Sequence, residues 1–264
     1  MSMDHAQGSA QSAGLGAGLD ERQPVLIVLD TSGSMGRPAE HPRIDDLNRA
    51  LGTIFRDIAA DPRLRSRVEI CLLSFGTDTQ VYDVAGARMV PADTAVTSRA
   101  FAGVDALVPP TLTADGYTRM VDALEFALEL GRCRHEELTA QCVPVLRPLI
   151  WLVTDGAPSD EHGRPLQATE LAPFATRMRR SEASEVGGVL FTVGVRGADR
   201  DMLAVLAPRG TVMLEGLDFK QILSWALVSS DRVGGQESAE DIHSMVAEQA
   251  AMRAELEALE EERR

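Results

Sequence analysis

The sequence predicts an α/β protein with a doubly wound, mostly parallel six-stranded sheet, one antiparallel edge strand and helices on both faces. Continuous apolar runs alternate with stretches whose apolar residues recur at helical spacing, and this alternation is typical of parallel strands joined by right-handed helical crossovers. The chain has 264 residues, of which 44% are hydrophobic. A chain of this size can bury one large core, and two globular domains would be hard to fit.

The first half of the chain is predicted as follows. The apolar run over 24–29 is typical of a central strand buried on both faces. Helical spacing over 44–58 predicts the first helix, and strands follow over 68–75 and 79–84. The last two would form a hairpin whose outer strand is an edge of the sheet. Prolines and glycines over 86–117 predict irregular backbone with little more than one short helix.

The second half continues the same alternation. The apolar pattern predicts, in chain order, a helix from Thr118 to about Leu130, a strand over 148–154, a helix over 169–181, a strand over 188–195, a short helix over 199–206, a small strand over 211–214 and a last core helix from Asp218.

Both ends differ in composition from this core, so we divide the chain into a disordered tail over 1–23, a folded domain over 24–231 and a charged helical tail over 236–264. The first tail is rich in Gly, Ala, Ser and Gln and has no apolar periodicity. The last segment carries nine acidic and three basic residues, about −6 of the charge. It is either a solvated helix or a segment for docking or for oligomerisation.

Charge and cysteine content limit the partners and the compartment. A formal net charge of −14 would repel a phosphate backbone, so we expect no nucleic acid partner. We find neither a signal peptide nor an apolar run of the roughly 18 residues that a membrane span needs, and we therefore expect a soluble cytoplasmic protein without a membrane partner. Three cysteines, Cys71, Cys133 and Cys142, make a disulfide framework improbable.

Oxygen-bearing side chains follow two of the predicted strands. Asp30, Ser32 and Ser34 alternate directly after the first strand, and Asp155 ends the strand over 148–154. Thr118 lies at the start of a helix between them. Ligands bind outside the carboxyl ends of the strands in open α/β sheets, and Mg²⁺ prefers oxygen ligands with only one or two carboxylates. We therefore predict a divalent metal site, although such hydroxyls also commonly cap helices and turns.

These residues resemble a known motif. Asp30-Thr31-Ser32-Gly33-Ser34, Thr118 and Thr154-Asp155-Gly156 are similar to the metal-ion-dependent adhesion site of von Willebrand factor A (VWA) domains, and the resemblance covers roughly 24–231. Two segments, 112–118 and 154–160, resemble the bacterial tellurium-resistance TerY-like branch. The resemblance implies a Rossmann-like VWA fold in which the first strand and the strand over 148–154 are neighbours.

The same resemblance implies roles for the residues. Ser32 and Ser34 would ligate the cation directly, and Thr118 directly or through water. Asp30 and Asp155 would act mainly through water or as alternating ligands. The cation would be Mg²⁺, with Mn²⁺ or Ca²⁺ as alternatives, and an Asp or Glu of a protein partner would fill its open position. TerY-like proteins are associated with kinase and phosphatase partners and with metal-stress or defence systems.

A binding role and an enzymatic role make different demands on these residues. An aspartyl phosphatase needs a second acid where Ser32 stands, and neither Ser32 nor Ser34 lies in a Gly-x-Ser-x-Gly elbow. We therefore expect an interaction module, an adaptor that is not an enzyme. A metal-dependent hydrolase that uses the same ion to activate water is the alternative.

Two further features stay open at this level. Tyr117 stands where the VWA family usually has a glycine, and its ring would either disturb the loop or contact the partner. Cys133, His135 and Cys142 cluster between the second main helix and the next strand, where they could hold zinc if a fourth ligand came from elsewhere, although their spacing matches no compact zinc pattern.

Overall fold

The computed structural model describes residues 21–103, 106–195, 197–213, 219–231 and 237–261. Within those ranges eight strands form one sheet, in the order β4-β3-β2-β1-β6-β7-β8, with β5 paired to β2. The strands are β1 (Gln23–Asp30), β2 (Val68–Phe75), β3 (Thr79–Asp83), β4 (Arg88–Pro91), β5 (Ala102–Gly103), β6 (Leu149–Thr154), β7 (Val189–Gly194) and β8 (Thr211–Met213). The predicted α/β class with a mostly parallel sheet is confirmed.

The predicted strand count of six needs correction. β2, β1, β6, β7 and β8 are parallel, whereas β3, β4 and the two-residue β5 run antiparallel to their neighbours. The outer edge is therefore β4 and not β3. Sequence patterning missed β4 because it has four residues and ends in Pro91, and a short strand that ends in proline has no detectable alternation.

The helices cover both faces of the sheet. They are α1 (Arg43–Ala59), α2 (Pro62–Arg67), α3 (Thr97–Ala100), α4 (Met120–Ala140), α5 (Ala168–Ala183), α6 (Arg200–Leu206), α7 (Phe219–Asp231) and α8 (Ala239–Glu261). Buried side chains of α1, α7 and α8 share one core with one face of the sheet, and those of α4, α5 and α6 share a second core with the other face. Asp199 caps α6, as its side chain accepts a hydrogen bond from Met202 N.

The central strands are buried on both faces, as their continuous apolar sequences require. Every residue of β1, β2, β6 and β7 is buried. The chain leaves β1 toward β2 on one side of the sheet and returns to β6 on the other, so the strand order reverses between β1 and β6. These two strands pair in parallel, with Leu29 opposite Val153, and their carboxyl ends therefore open on one crevice.

The acidic C-terminal helix is partly built into the domain. Ala239, Ile242 and Val246 of α8 are at most 6% exposed and belong to the core that contains α1 and α7. The Ser229 hydroxyl of α7 donates to Gln249 Oε1 at 2.7 Å, which links the two helices by a polar contact. Met252, farther along, is 64% exposed. The first half of α8 is thus a packed helix of the fold, whereas the sequence analysis set the whole segment apart as a tail.

Several sequence-based predictions lie outside the described residues. These are the tail over 1–20, the Leu214 end of the small strand and the Asp218 start of the last core helix.

Candidate metal centre

The crevice between β1 and β6 brings two carboxylates together. Asp30 is the last residue of β1, and Asp155 directly follows β6. Because the two strands are neighbours in parallel register, both side chains lie at the same edge of the sheet. They are 0% and 4% exposed, respectively. The switch point of this sheet therefore carries two buried acids.

Asp30 is held by uncharged donors. Its Oδ1 accepts the Ser32 backbone N–H at 2.8 Å, and its Oδ2 accepts the Thr154 hydroxyl at 2.5 Å. Among the described residues it takes part in no ion pair with a basic side chain. Burial raises the pKa of Asp30 to about 6, although hydrogen bonds from Ser32 and Thr154 partly oppose the rise. The charged carboxylate is thus only partly compensated by its surroundings.

A hydrogen-bonded chain of three oxygens joins Ser32 Oγ, Ser34 Oγ and Asp155 Oδ1. The Ser34 hydroxyl donates to Asp155 Oδ1 at 2.8 Å. Ser32 Oγ lies 2.9 Å from Ser34 Oγ, so the two hydroxyls are hydrogen-bonded to each other. A short 3₁₀ turn over Gly33–Gly36 gives the loop this shape. The predicted alternation of Asp30, Ser32 and Ser34 therefore places all three side chains on one site.

Thr118 comes from the loop that precedes α4. Its backbone N–H donates to Ser159 Oγ at 2.9 Å, and its carbonyl accepts Ser159 N–H at 2.8 Å, so the loop is fixed to the segment after Asp155. A Cβ atom at Gly156 would lie 3.8 Å from Thr118 Oγ1 and 3.9 Å from Asp30 Oδ2. The Thr118 side chain thus lies at the same crevice as the two acids, and the five residues predicted from the sequence are brought together.

Close backbone packing holds the Thr118 loop against the Ser32 loop. Gly33 N donates to Gly116 O at 3.1 Å, and Asp115 N donates to Thr31 O at 2.8 Å. A Cβ atom at Gly76 would lie only 2.5 Å from Asp115 O, so a glycine is needed there for the loops to approach. The position of Thr118 is therefore set by backbone contacts among three loops.

The ring of Tyr117 lies beside this loop and is 44% exposed. A Cβ atom at Gly163 would come within 2.5 Å of Tyr117 Cδ1, so the ring packs closely on the Gly163 backbone. Gly163 has a φ of +78°, which also favours glycine. The ring therefore braces the Thr118 loop against the loop after β6, and its open side faces solvent near the site.

Arg43 is the residue at this site that the sequence analysis missed. It is the first residue of α1, and its guanidinium donates to Asp155 Oδ2. The Asp155 side chain is fully buried, whereas the Arg43 side chain is 31% exposed. A lone arginine at a helix start has no sequence pattern of its own, and only the folded arrangement of α1 against β6 reveals the pair.

The second candidate metal cluster is not assembled. Cys133 and His135 lie within α4, which continues to Ala140, and not in a connector as expected; Cys142 follows the helix and is exposed. Cys133 Sγ contacts Glu129 on the preceding turn at 3.6 Å. Across the described ranges, no three His, Cys, Asp or Glu side chains are grouped as a metal site.

The donor set of the crevice suits a hard divalent cation. Two carboxylates and three hydroxyls are oxygen ligands of the kind that Mg²⁺ and related ions take in proteins. The fit is supported by Asp30, whose pKa is raised by burial and whose carboxylate has no positive charge paired with it among the described residues. A cation in the crevice would supply that charge.

The fold and these loops define an α/β protein with a cluster of oxygen ligands at the switch point of its sheet. No family model matches the chain, and no curated protein matches it. None of the helices described is both long enough and apolar enough to cross a membrane.

Solved structures give distant similarities. A von Willebrand factor type A protein from Catenulispora acidiphila is 19% identical with a TM-score of 0.44, over 88% of this chain and 43% of that one. The vWF domain of the pili tip protein Mfa5 from Porphyromonas gingivalis is 11% identical with a TM-score of 0.48, over 81% of this chain and 95% of that one.

A third similar structure is that of proximal thread matrix protein 1 from the mussel byssus with a zinc-occupied MIDAS motif. It is 11% identical with a TM-score of 0.44, over 80% of this chain and 48% of that one. The present chain thus spans less than half the length of the first and third of these proteins. Identities and TM-scores this low carry no argument about what the chain binds.

Proposed function

We propose that this chain is a metal-dependent protein–protein interaction module, an adaptor that binds an acidic residue of a partner through a divalent cation. The observation that carries the proposal is the convergence of oxygen ligands from three loops on one crevice, namely Asp30, Ser32, Ser34, Thr118 and Asp155. A buried acid and a set of neutral hydroxyls make an arrangement suited to holding an ion.

The ligand types explain why a partner would complete the site. Ser32, Ser34 and Thr118 would hold the ion with neutral oxygens, and Asp30 and Asp155 would hold it directly or through water. When bound, the cation supplies positive charge at the mouth of the crevice. An ion held largely by hydroxyls keeps enough charge to attract an incoming carboxylate. The ion is Mg²⁺ in this proposal, with Mn²⁺ or Ca²⁺ as alternatives.

The resemblance to the VWA adhesion site supports the same reading. The spacing of Asp30, Ser32 and Ser34, with Thr118 and Asp155 on separate loops, matches that motif residue by residue, and the reversal of strand order between β1 and β6 is the arrangement that the resemblance implies. We assign the chain to the TerY-like branch on its segments 112–118 and 154–160. The wider role is then that of a cytoplasmic bacterial protein in a metal-stress, tellurium-resistance or defence complex.

A polar groove gives the partner a path beside the ion. A cavity of about 450 Å³ opens next to the crevice and is lined in part by Thr31, Thr77, Thr113 and Asp115. These residues belong to the same loops that position Thr118. A peptide whose acidic residue reached the cation could continue across this groove. By family resemblance, the partner is a kinase or phosphatase.

We propose binding in place of catalysis. A hydrolase would need a base to activate water, and the side chain that the structure adds to the predicted ligands is Arg43, a hydrogen-bond donor to Asp155 with no acceptor atom of its own. Turnover of phosphate or ester substrates that vanished in Asp155→Ala would contradict this part of the proposal.

Partner capture from the source cells tests the function. The immobilised wild-type chain should retain a protein in the presence of Mg²⁺ and release it on addition of a chelator, and the variants Asp30→Ala and Thr118→Ala should retain none. The matched control is Asp93→Ala, which removes an exposed acid from the short turn over 92–94, and it should behave like wild type. Equal capture in every condition would refute metal-dependent binding. Loss of self-association on deletion of α8 would instead favour a subunit that oligomerises through this helix.

A further inference from the structure

Arg43 changes the charge of the candidate metal centre. Its guanidinium bonds to one oxygen of Asp155, whose other oxygen accepts the Ser34 hydroxyl. It also lies beside the backbone of Gly197, where a Cβ atom would be 3.9 Å from Arg43 Nη1. The guanidinium is therefore seated between the loops after β6 and β7, in contact with a predicted ligand.

The formal charges of the crevice can be counted. Asp30 and Asp155 together would neutralise a divalent cation. With Arg43 beside them, the same ion leaves the loaded crevice with one net positive charge. A carboxylate brought by a partner then cancels that charge, whereas without Arg43 the same carboxylate would add one negative charge too many.

We propose that Arg43 sets the metal affinity of this centre: it weakens binding of the cation alone and makes the loaded centre electropositive, so that the cation and a carboxylate ligand stabilise each other. This inference rests on the proposed function, since it assumes that a divalent cation occupies the crevice. Arg43 competes with the cation for Asp155 and opposes it by charge. It is a positioning and charge-setting residue and not a ligand.

Titration with Mn²⁺ tests the first half of the proposal. Calorimetry at pH 7.5 should show that Arg43→Gln binds Mn²⁺ roughly tenfold more tightly than wild type does. The substitution removes a positive charge that touches a predicted ligand, and at that distance solvent and salt screen its repulsion of the ion only weakly. Arg43→Lys keeps the charge and should bind Mn²⁺ about as weakly as wild type. Arg49→Gln, on the same helix with a side chain 73% exposed, is the matched control and should leave the affinity unchanged.

Acetate tests the second half as a minimal carboxylate probe. Sodium acetate, compared with sodium chloride at equal ionic strength, should tighten Mn²⁺ binding in wild type several-fold and in Arg43→Gln by a smaller factor. Electron paramagnetic resonance of the bound Mn²⁺ should report a change of ligand on addition of acetate in wild type. An equal effect of acetate in both proteins would overturn the coupling.

The outcomes separate this inference from the function it rests on. If the crevice is the site, Ser34→Ala should weaken Mn²⁺ binding. Two outcomes would refute the site, and the role of Arg43 with it: no protein binds Mn²⁺, or Ser34→Ala binds it as wild type does. Binding that depends on Ser34 but is equal in wild type and Arg43→Gln would refute only the role of Arg43. Arg43→Met serves as a second neutral variant, and failure of both neutral variants to fold would show that the ion pair is structural.

Discussion

Two buried carboxylates at strand ends are stabilised in opposite ways. Asp83 ends β3 near the sheet edge, and both of its oxygens accept hydrogen bonds from Arg99 of α3, one of them at 2.9 Å from Nε. Asp30 ends β1 in the centre, and its donors are a backbone amide and a hydroxyl. Arg99 holds the pKa of Asp83 below its usual value, whereas burial raises that of Asp30 to about 6.

The difference indicates what each acid is for. A carboxylate that pairs with a basic side chain can be buried at little cost in free energy and serves the structure. A carboxylate that has only neutral hydrogen-bond donors is kept in the fold although burial of its charge is unfavourable. Residues whose environment penalises their charged form concentrate at functional sites. Asp83 thus joins β3 to α3, and Asp30 is the acid that a cation would satisfy.

The largest expected effect is that of removing the charge at Asp30. Asp30→Asn keeps the shape of the side chain, and because the folded state raises the pKa of Asp30 from 3.8 to about 6, the metal-free variant should be more stable than wild type by up to about 3 kcal/mol at pH 8. Urea unfolding in a chelator measures the difference, with Asp93→Asn as the exposed control. Mn²⁺ binding should be lost in the same variant. A metal-free Asp30→Asn protein less stable than wild type would contradict the proposed cost.

The dependence on pH should identify Asp30 as the source of that difference. Because its folded pKa is raised, folded wild type takes up a proton as the pH falls through about 6, whereas the unfolded chain takes it up only near 3.8. The advantage of Asp30→Asn should therefore be full above pH 7, shrink as the pH falls below 6 and vanish near pH 4. Denaturant midpoints measured across this range provide the test, and an advantage that stayed constant with pH would exclude this explanation.

Asp83→Asn should have the opposite sign. Its ion pair with Arg99 stabilises the fold, so the variant should unfold at a lower temperature while Mn²⁺ binding stays the same. Because the folded pKa of Asp83 is lowered, the loss of stability should be full above the ordinary carboxyl pKa and disappear as the pH falls through the lowered value. Differential scanning calorimetry with and without Mn²⁺ measures both results. A fall in Mn²⁺ affinity would mean that the two regions are coupled.

The smallest expected effect is at the hydroxyl beside Asp30. Thr154→Val removes a donor to the carboxylate and should lower the stability of the metal-free protein at pH 8 by about 1 kcal/mol. With one fewer hydrogen bond to its charged form, Asp30 should also hold its proton to a higher pH. The pH midpoint of Mn²⁺ binding should rise accordingly, and Thr192→Val, a buried threonine on β7, is the control for loss of a hydroxyl alone.

The sequence was sufficient to predict the central strands and the oxygen-bearing side chains that meet at their carboxyl ends. The apolar run before Asp30 and the one before Asp155 each predict a strand buried on both faces, and parallel strands place their carboxyl ends at one edge. The ligands then follow from the residues at those ends. The metal they would hold remains a prediction.

The features that were missed depend on contacts distant in sequence. Arg43 acquires its role only where α1 meets the loop after β6, and β4 is held in place by pairing with β3, not by a pattern of its own. The end of α4 was misplaced because Leu138 is the one buried hydrophobic residue in the part of the helix after Leu130, too few to show helical spacing. The packing of α8 was obscured because its few buried residues stand in a sequence that also carries seven acids.

The docking of α8 also determines where this chain could be shortened. His243 is 4% exposed. Its Nε2 lies 3.0 Å from Glu182 Oε1, and its ring packs edge-on against Phe191 of β7. A protein ended at residue 235 would lose that aromatic contact and the His243–Glu182 contact, and Glu182 Oε1 would keep only the Leu190 backbone N–H at 3.4 Å. One ended just after Ala250 would keep every contact of this helix described above. Met252, which lies beyond that point and is 64% exposed, is a natural place to attach a label or a surface tether.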